Sequence, residues 1–257
     1  MNYQTLDVSF HEGVCRVRFD RPEAGNAINA RMIEEFAALL DHCEQADGSD
    51  GEPPVTVLTL EGTTEVFCAG GDFEALADSA EVPDPEPLYA LWLRLARGPF
   101  ISISVVRGRV NAGGVGFVAA SDMVLADDSA VFSLSELLFG LYPACVLPFL
   151  IRRTGVQKAN YLTLSTRPLP AEEALRWGLV DVMEASVEGA LRKHLLRLRH
   201  LDRQALARYK AYLGELEDDL QRQKPLALAA NRALFGDPAL RENIRRYVTE
   251  GKFPWEP

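Results

Sequence analysis

Two glycine-bearing segments carry the pattern in this chain that can do chemistry: Phe67-Cys68-Ala69-Gly70-Gly71-Asp72-Phe73 and Val110-Asn111-Ala112-Gly113-Gly114-Val115-Gly116-Phe117. Glycine leaves its backbone N–H uncrowded, and two such donors meeting at one oxygen form an oxyanion hole suited to an enolate. The second segment lies between an apolar run at 101–106 and a helix-like run of small residues at 115–121. Its glycines therefore fall at a strand-to-helix junction, where unpaired N–H groups and the helix dipole both favour negative charge. Taken singly, each glycine pair serves equally well as a turn or a packing device. Neither is a phosphate loop: no Gly-Lys-Ser/Thr follows, and the first cluster lacks the spacing of a dinucleotide fingerprint.

A third segment, Phe132-Ser133-Leu134-Ser135-Glu136-Leu137-Leu138-Phe139-Gly140, sets one carboxylate in an otherwise apolar run. Desolvation raises the pKa of such a group and suits it to general acid–base work near neutrality. Alone, Glu136 reads equally as a cap or a rim residue. Other catalytic sets have little support. The four cysteines (Cys15, Cys43, Cys68, Cys145) show no CxxC spacing and are read as small buried hydrophobes, although Cys68 and Cys145 fall inside the site segments. His11, His42, His194 and His200 lie outside both glycine motifs and form no ligand pair, so no metal site and no Ser-His-Asp triad is expected.

These segments need a framework, and the composition allows one. A chain of 257 residues that is 47% hydrophobic buries a large core. Its net charge of −10 and pI near 5.0 argue against nucleic acid as the main partner. No apolar run approaches the roughly 18 residues of a membrane helix, and the start MNYQTLDVSF lacks signal-peptide regions, so no membrane association and a cytoplasmic location are expected.

Alternation predicts a strand at 14–19, turn residues at 20–26 and a helix over 30–45. An acidic loop at 46–54 precedes a strand at 55–60. The proline-bearing stretch 77–87 reads as a surface loop, followed by a helix at 88–96 and strands at 101–106, 123–126 and 130–134. Strands alternating with helices indicate an α/β core. From Pro143 the pattern is mostly helical, with a helix start at Pro170-Ala171-Glu172, a strand at 179–183, and three or four amphipathic helices over 187–249.

With Arg21-Pro22-Glu23-Ala24-Gly25-Asn26-Ala27-Ile28-Asn29 and Ala171-Glu172-Glu173-Ala174-Leu175-Arg176-Trp177-Gly178-Leu179-Val180, these motifs resemble, in order and over nearly the whole chain, the crotonase or enoyl-CoA hydratase superfamily. The resemblance implies an α/β spiral of ββα repeats over 1–186, and a C-terminal helical region over 187–257 for oligomerisation and pocket closure. It also implies a homotrimer or a pair of trimers. The substrate would be a thioester on the phosphopantetheine of coenzyme A or of an acyl carrier protein, with no metal or redox cofactor.

Carried over by position, Gly71 and Gly113 match the two oxyanion donors, and Glu136 matches the second of two hydratase glutamates. Ala69, Gly70, Asn111, Gly114, Gly116, Tyr142 and Ala24 fall at substrate-binding positions, Ala24 in the loop on the nucleotide side. The first hydratase glutamate is replaced by Gly116, which is expected to vacate space for a β-branched substrate. Arg94, Arg152 and Arg153 are candidates for a distal carboxylate, while Tyr89, Trp92 and Tyr142 could shape the pocket. Asp72 and Asp122 read as structural caps.

The segments 111–117 and 133–149 most resemble polyketide β-branching homologues. These dehydrate 3-hydroxy-3-methylglutaryl or decarboxylate 3-methylglutaconyl on an acyl carrier protein. The retained Glu136 favours dehydration, with decarboxylation, enoyl isomerisation and non-catalytic thioester or carrier-protein binding as the alternatives.

Overall fold

A computed structural model of the chain describes residues 3–45, 53–79 and 81–257. The alternation of Val14-Cys15-Arg16-Val17-Arg18-Phe19 buries one side of a strand, and this segment pairs antiparallel with the one before it. β1 (Leu6–His11) and β2 (Val14–Phe19) are joined by Glu12 and Gly13, both at positive φ (48° and 77°), as a tight hairpin turn demands. Most of the predicted loop 46–54 lies outside the described residues.

Thereafter the chain repeats one move three times. β3 (Val57–Glu61) joins one sheet and β4 (Val66–Cys68) a second. β5 (Ile101–Val106) and β6 (Arg109–Asn111) do the same, as do β7 (Met123–Ala126) and β8 (Val131–Ser133). β9 (Leu169–Pro170) and β10 (Val182–Met183) complete a four-stranded sheet in the order β4-β6-β8-β9 and a six-stranded one in the order β1-β2-β3-β5-β7-β10. This is the α/β spiral that the sequence resemblance implied. β5 is buried along its whole length, which explains its uninterrupted Ile-Ser-Ile-Ser-Val-Val run in a parallel position covered on both faces.

Helices α1 (Ala30–Gln45), α2 (Phe73–Asp78), α3 (Glu86–Arg97) and α4 (Gly113–Ala120) follow the strand pairs. α4 is apolar all round and enclosed, with Phe117 against Phe19, Phe36 and Trp92 at ring distances of 5.1, 5.8 and 5.9 Å. α5 (Leu147–Thr154), α6 (Val156–Ser165) and α7 (Ala171–Trp177) lead to four C-terminal helices, α8 (Val187–Leu198), α9 (Arg203–Leu216), α10 (Asp219–Gly236) and α11 (Pro238–Glu250). α8 covers the outer face of β5 and β7 through Val187 and Leu191, so this helix completes the core of the sheet. Among the described residues no helix is long and apolar enough to cross a membrane.

α9 is anchored at its middle by a buried cation, and at its start by Arg203, which donates to the Cys43 and Glu44 carbonyls at 2.8 Å. Lys210, 3% exposed, donates to the Leu95 and Phe100 carbonyls at 3.2 and 2.9 Å and to Asp122 at 2.7 Å. Asp122 also accepts from the Ser102 N–H at 2.8 Å, so its role is structural as expected. Replacing Lys210 by Met removes the cation and strands the Asp122 carboxylate. Equilibrium urea unfolding should show a loss of about 3 kcal/mol.

Candidate active site

The two glycine segments arrive side by side because β4 and β6 are parallel neighbours. Past Cys68, the Ala69 N–H bonds to the Gly25 carbonyl at 3.0 Å, Gly70 C=O accepts from Ile28 at 2.7 Å, and the Asp72 N–H reaches Ile28 C=O at 3.0 Å. Alternation of an extended strand then turns the Gly71 N–H away from Ile28. Asp72 caps α2 through the Ala75 N–H at 3.0 Å and takes a 2.9 Å ion pair from Arg21, the structural part expected of it.

On the other side, Ala112 holds φ 49° and ψ −120°, a strained conformation for a residue with a Cβ, and so starts α4 at Gly113. Its N–H is held by the Ser133 carbonyl at 3.0 Å. Asn111 ties three segments together. Its Oδ1 accepts from Ser133 Oγ at 2.9 Å, while its Nδ2 donates to Ser135 Oγ at 3.0 Å and to the Ala69 carbonyl at 3.4 Å.

The turns touch where neither could carry a side chain. A Cβ on Gly70, whose φ is +99°, would lie 2.8 Å from Ala112 Cβ, and one on Gly113 would lie 2.9 Å from Ile28 Cδ1 and 3.8 Å from Gly70 Cα. Gly71 differs, since nothing lies within 4 Å of where its Cβ would be. Among the described residues neither the Gly71 nor the Gly113 N–H has a protein acceptor. Two free amides thus lie on turns that touch, Gly71 beside open space and Gly113 at the positive end of a helix.

Glu136 opens a 3₁₀ turn, Glu136–Phe139, that ends at Gly140 in the left-handed region (φ 80°). The residue as a whole is partly exposed, yet Oε2 is sealed and has no hydrogen-bond partner. Burial pushes the carboxyl up from 4.5 to about 7, a little offset by its own backbone N–H. Ser135, which precedes it, is the residue that Asn111 holds, so carboxyl and amides share one frame.

Several sequence expectations need correction. Gly116 vacates no space: a Cβ there would sit 2.4 Å from Trp92 Cζ2, so an indole fills the position. Gly114 packs its Cα against the Cys68 carbonyl, 2.5 Å from a hypothetical Cβ, and serves the β4–α4 contact rather than a pocket wall. Arg94 is spent on Glu44 and Asp41, and Arg153 on Asp181 and the Ser121 and Leu179 carbonyls. Arg152 is held among Arg97, Asp122 and Glu217, beside the α9 anchor. The Tyr89 hydroxyl donates to the Leu220 carbonyl at 2.7 Å.

Ala69 is exposed at the open edge, Ala24 lies in the short 3₁₀ turn Pro22–Ala24 beside Gly25, and Tyr142 is exposed beyond Gly140. Cys68 and Cys145 are buried thiols pushed up to about 12, consistent with packing roles. A cavity of about 250 Å³ lies between α2 and the α10–α11 turn, beyond Asp72, and holds neither the glycine amides nor Glu136.

A spiral of strand pairs that ties turns with free amides to the turn bearing a buried carboxyl is the arrangement of the crotonase class of enzymes. The enoyl-CoA hydratase/isomerase family model matches residues 9–257, and the chain belongs to that family. It is 50% identical over 261 residues to the bacillaene synthase dehydratase PksH of Bacillus subtilis, covering 100% of this chain and 98% of that protein. A crystal structure of pksH from the same organism, a polyketide biosynthesis enoyl-CoA hydratase, superposes with a TM-score of 0.93 over 98% of this chain and 100% of that one. The mevalonyl-coenzyme A hydratase SIDH of Beauveria bassiana is 32% identical over 188 residues, 68% of this chain and 65% of that protein. The chain is accordingly an enzyme, of the dehydratase and hydratase type.

The raised Glu136 pKa has a measurable sign. The folded chain holds this proton to about pH 7, whereas the unfolded chain releases it near 4.5, so the burial cost is absent below pH 4.5 and grows as pH rises to about 7. Glu136→Gln should therefore raise the unfolding free energy above pH 7 by up to about 3 kcal/mol, with the gain vanishing below pH 4.5. Chemical denaturation at several pH values checks this.

Proposed function

We propose that the chain removes water from a 3-hydroxy-3-methylglutaryl group carried on the phosphopantetheine of an acyl carrier protein, giving 3-methylglutaconyl. The observation that carries the reading is the sealed, unpartnered Oε2 of Glu136 on a carboxyl held near pKa 7, in one frame with two free amides. A base of that pKa is half ionised at neutral pH and exchanges protons in both directions.

In this mechanism the thioester oxygen sits between the Gly71 and Gly113 N–H groups. The Glu136 carboxylate takes the α-proton, and the C–H pair enters the enolate that those amides stabilise. As the enolate collapses to the α,β double bond, the β-carbon–oxygen bond breaks and Glu136 returns its proton to the departing hydroxyl as water. The elimination is redox-neutral and balances without a cofactor, and one carboxyl performs both transfers.

Two relatives support the substrate class. One is named as a dehydratase of a polyketide synthase, and another acts on mevalonyl-coenzyme A, itself a 3-hydroxy-3-methyl acyl thioester. Large apolar side chains left exposed on the single chain, among them Tyr161, Leu164, Tyr209, Tyr212, Leu216 and Leu226, suit burial in a homotrimer or pair of trimers.

Intact-mass analysis of a carrier protein loaded with 3-hydroxy-3-methylglutaryl should show loss of one water on treatment with the enzyme. Loss of carbon dioxide, or an unchanged mass, would overturn the reading. Glu136→Ala should lower the rate by about 10²- to 10⁴-fold. The wild-type rate should rise with pH along an acid limb centred near 7, because only the ionised carboxyl removes the α-proton.

A further inference from the structure

Position 116 lies one turn after Gly113 on α4, where a Cβ would meet the Trp92 indole at 2.4 Å (Cζ2), 2.5 Å (Cη2) and 2.7 Å (Cε2). A helical side chain leans back over the turn before its own Cα, so one at 116 would cover the Gly113 turn. The indole occupies that space instead. Trp92 is 1% exposed and locked edge-on between Phe117 and Phe149, at 5.9 and 5.8 Å.

Its Nε1, one bond from the Cε2 that abuts Gly116, is buried with no hydrogen-bond partner. A buried tryptophan N–H ordinarily finds an acceptor, and leaving it without one is costly. Glu136 Oε2 is buried and unpaired in the same way. A buried donor beside α4 and a buried acceptor on the short turn that follows β8 are thus complementary in type, and neither has a protein partner.

We propose that Trp92 is a catalytic and specificity-determining residue: its indole replaces a side chain at position 116, and its Nε1–H donates a hydrogen bond to the β-hydroxyl oxygen of the substrate. This rests on the dehydratase reading. The indole keeps its proton throughout. Its hydrogen bond orients the β-hydroxyl toward Glu136 and strengthens as negative charge grows on the departing oxygen, while the proton that completes the water comes from Glu136. One carboxylate therefore suffices where a neutral N–H does the holding.

The test separates the donor from the shape of the ring. Trp92 is replaced by 3-benzothienylalanine, which puts sulfur where the N–H stands in a nearly isosteric ring, and separately by Phe. Binding is measured in the Glu136→Gln background, where no turnover consumes the ligand, with carrier proteins loaded with 3-hydroxy-3-methylglutaryl or with its 3-deoxy analogue. With Trp92 present, the hydroxylated ligand should bind about 5- to 10-fold more tightly than the deoxy one. Both replacements should abolish that preference while affinity for the deoxy ligand stays within about twofold for the benzothienyl variant.

In the enzyme with Glu136 intact, the benzothienyl variant should lose about 10- to 100-fold in kcat/KM, with KM raised by up to the 5- to 10-fold lost in binding and the acid limb unmoved. Equal discrimination with and without the N–H, or no discrimination in the presence of Trp92, overturns the proposal. Because binding is read without turnover, either result stands apart from a wild-type enzyme that releases no water, which would overturn the dehydratase reading itself.

Discussion

The close approach of the Gly70 turn to the first turn of α4 is the constraint on which the rest of the site depends. It brings one free amide from each of two parallel strand exits onto touching turns, and at Gly70, with φ +99° and Ala112 Cβ in the way, it leaves no room for a side chain. The approach is enforced from behind. Asn26, fully buried, donates to the Val66 and Phe67 carbonyls at 3.1 and 3.2 Å and so fixes β4 against the loop that follows β2. Ala112 takes up the strain of order 1–3 kcal/mol that a positive φ entails, and the burial of the apolar α4 behind it offsets that cost.

Glu136, the base proposed above, depends on the same principle applied to a side chain. The far end of its short turn is fixed by packing, where Phe139 meets Phe73, Tyr247 and Phe253 at 5.2, 5.0 and 5.5 Å. Asn243 on α11 donates to the Phe139 carbonyl at 3.2 Å. The C-terminal helix therefore packs on the far end of the turn that carries Glu136.

How far the sequence revealed this differs from one element to the next. The strands at 14–19, 101–106 and 123–126 and the helix at 30–45 were legible to the residue, because period and punctuation agree there. β1 was hidden by its poor burial pattern, and α2 by a length of six residues that leaves no period to read. The glycine amides and the lone carboxylate could be read from residue type. The filling of position 116 could not, since it depends on Trp92 coming from another helix 24 residues earlier. The only local hint was the stripe Tyr89, Trp92, Leu95 and Ala96 on the buried face of α3. The arginines misled for the same reason: their partners, such as Asp41 and Glu44 for Arg94, are set by packing and not by proximity in sequence.

A glycine at 116 with an indole above it also changes the electrostatics of the base. Two carboxylates facing one substrate titrate as a coupled pair, and each raises the other's pKa by repulsion. Here burial is the leading cause of the Glu136 shift, and no neighbouring charge contributes to it. The proton affinity of the proposed base is then set by exclusion of water, offset in part by its own backbone N–H. The enclosed ring of Trp92, packed on Phe117, puts an uncharged group with one N–H donor where a side chain at position 116 would otherwise lie. A single carboxyl can serve as base and acid in turn only if its pKa stays near neutrality in the absence of a charged partner. Replacing the carboxylate side chain with a neutral, sterically rigid one meets that condition.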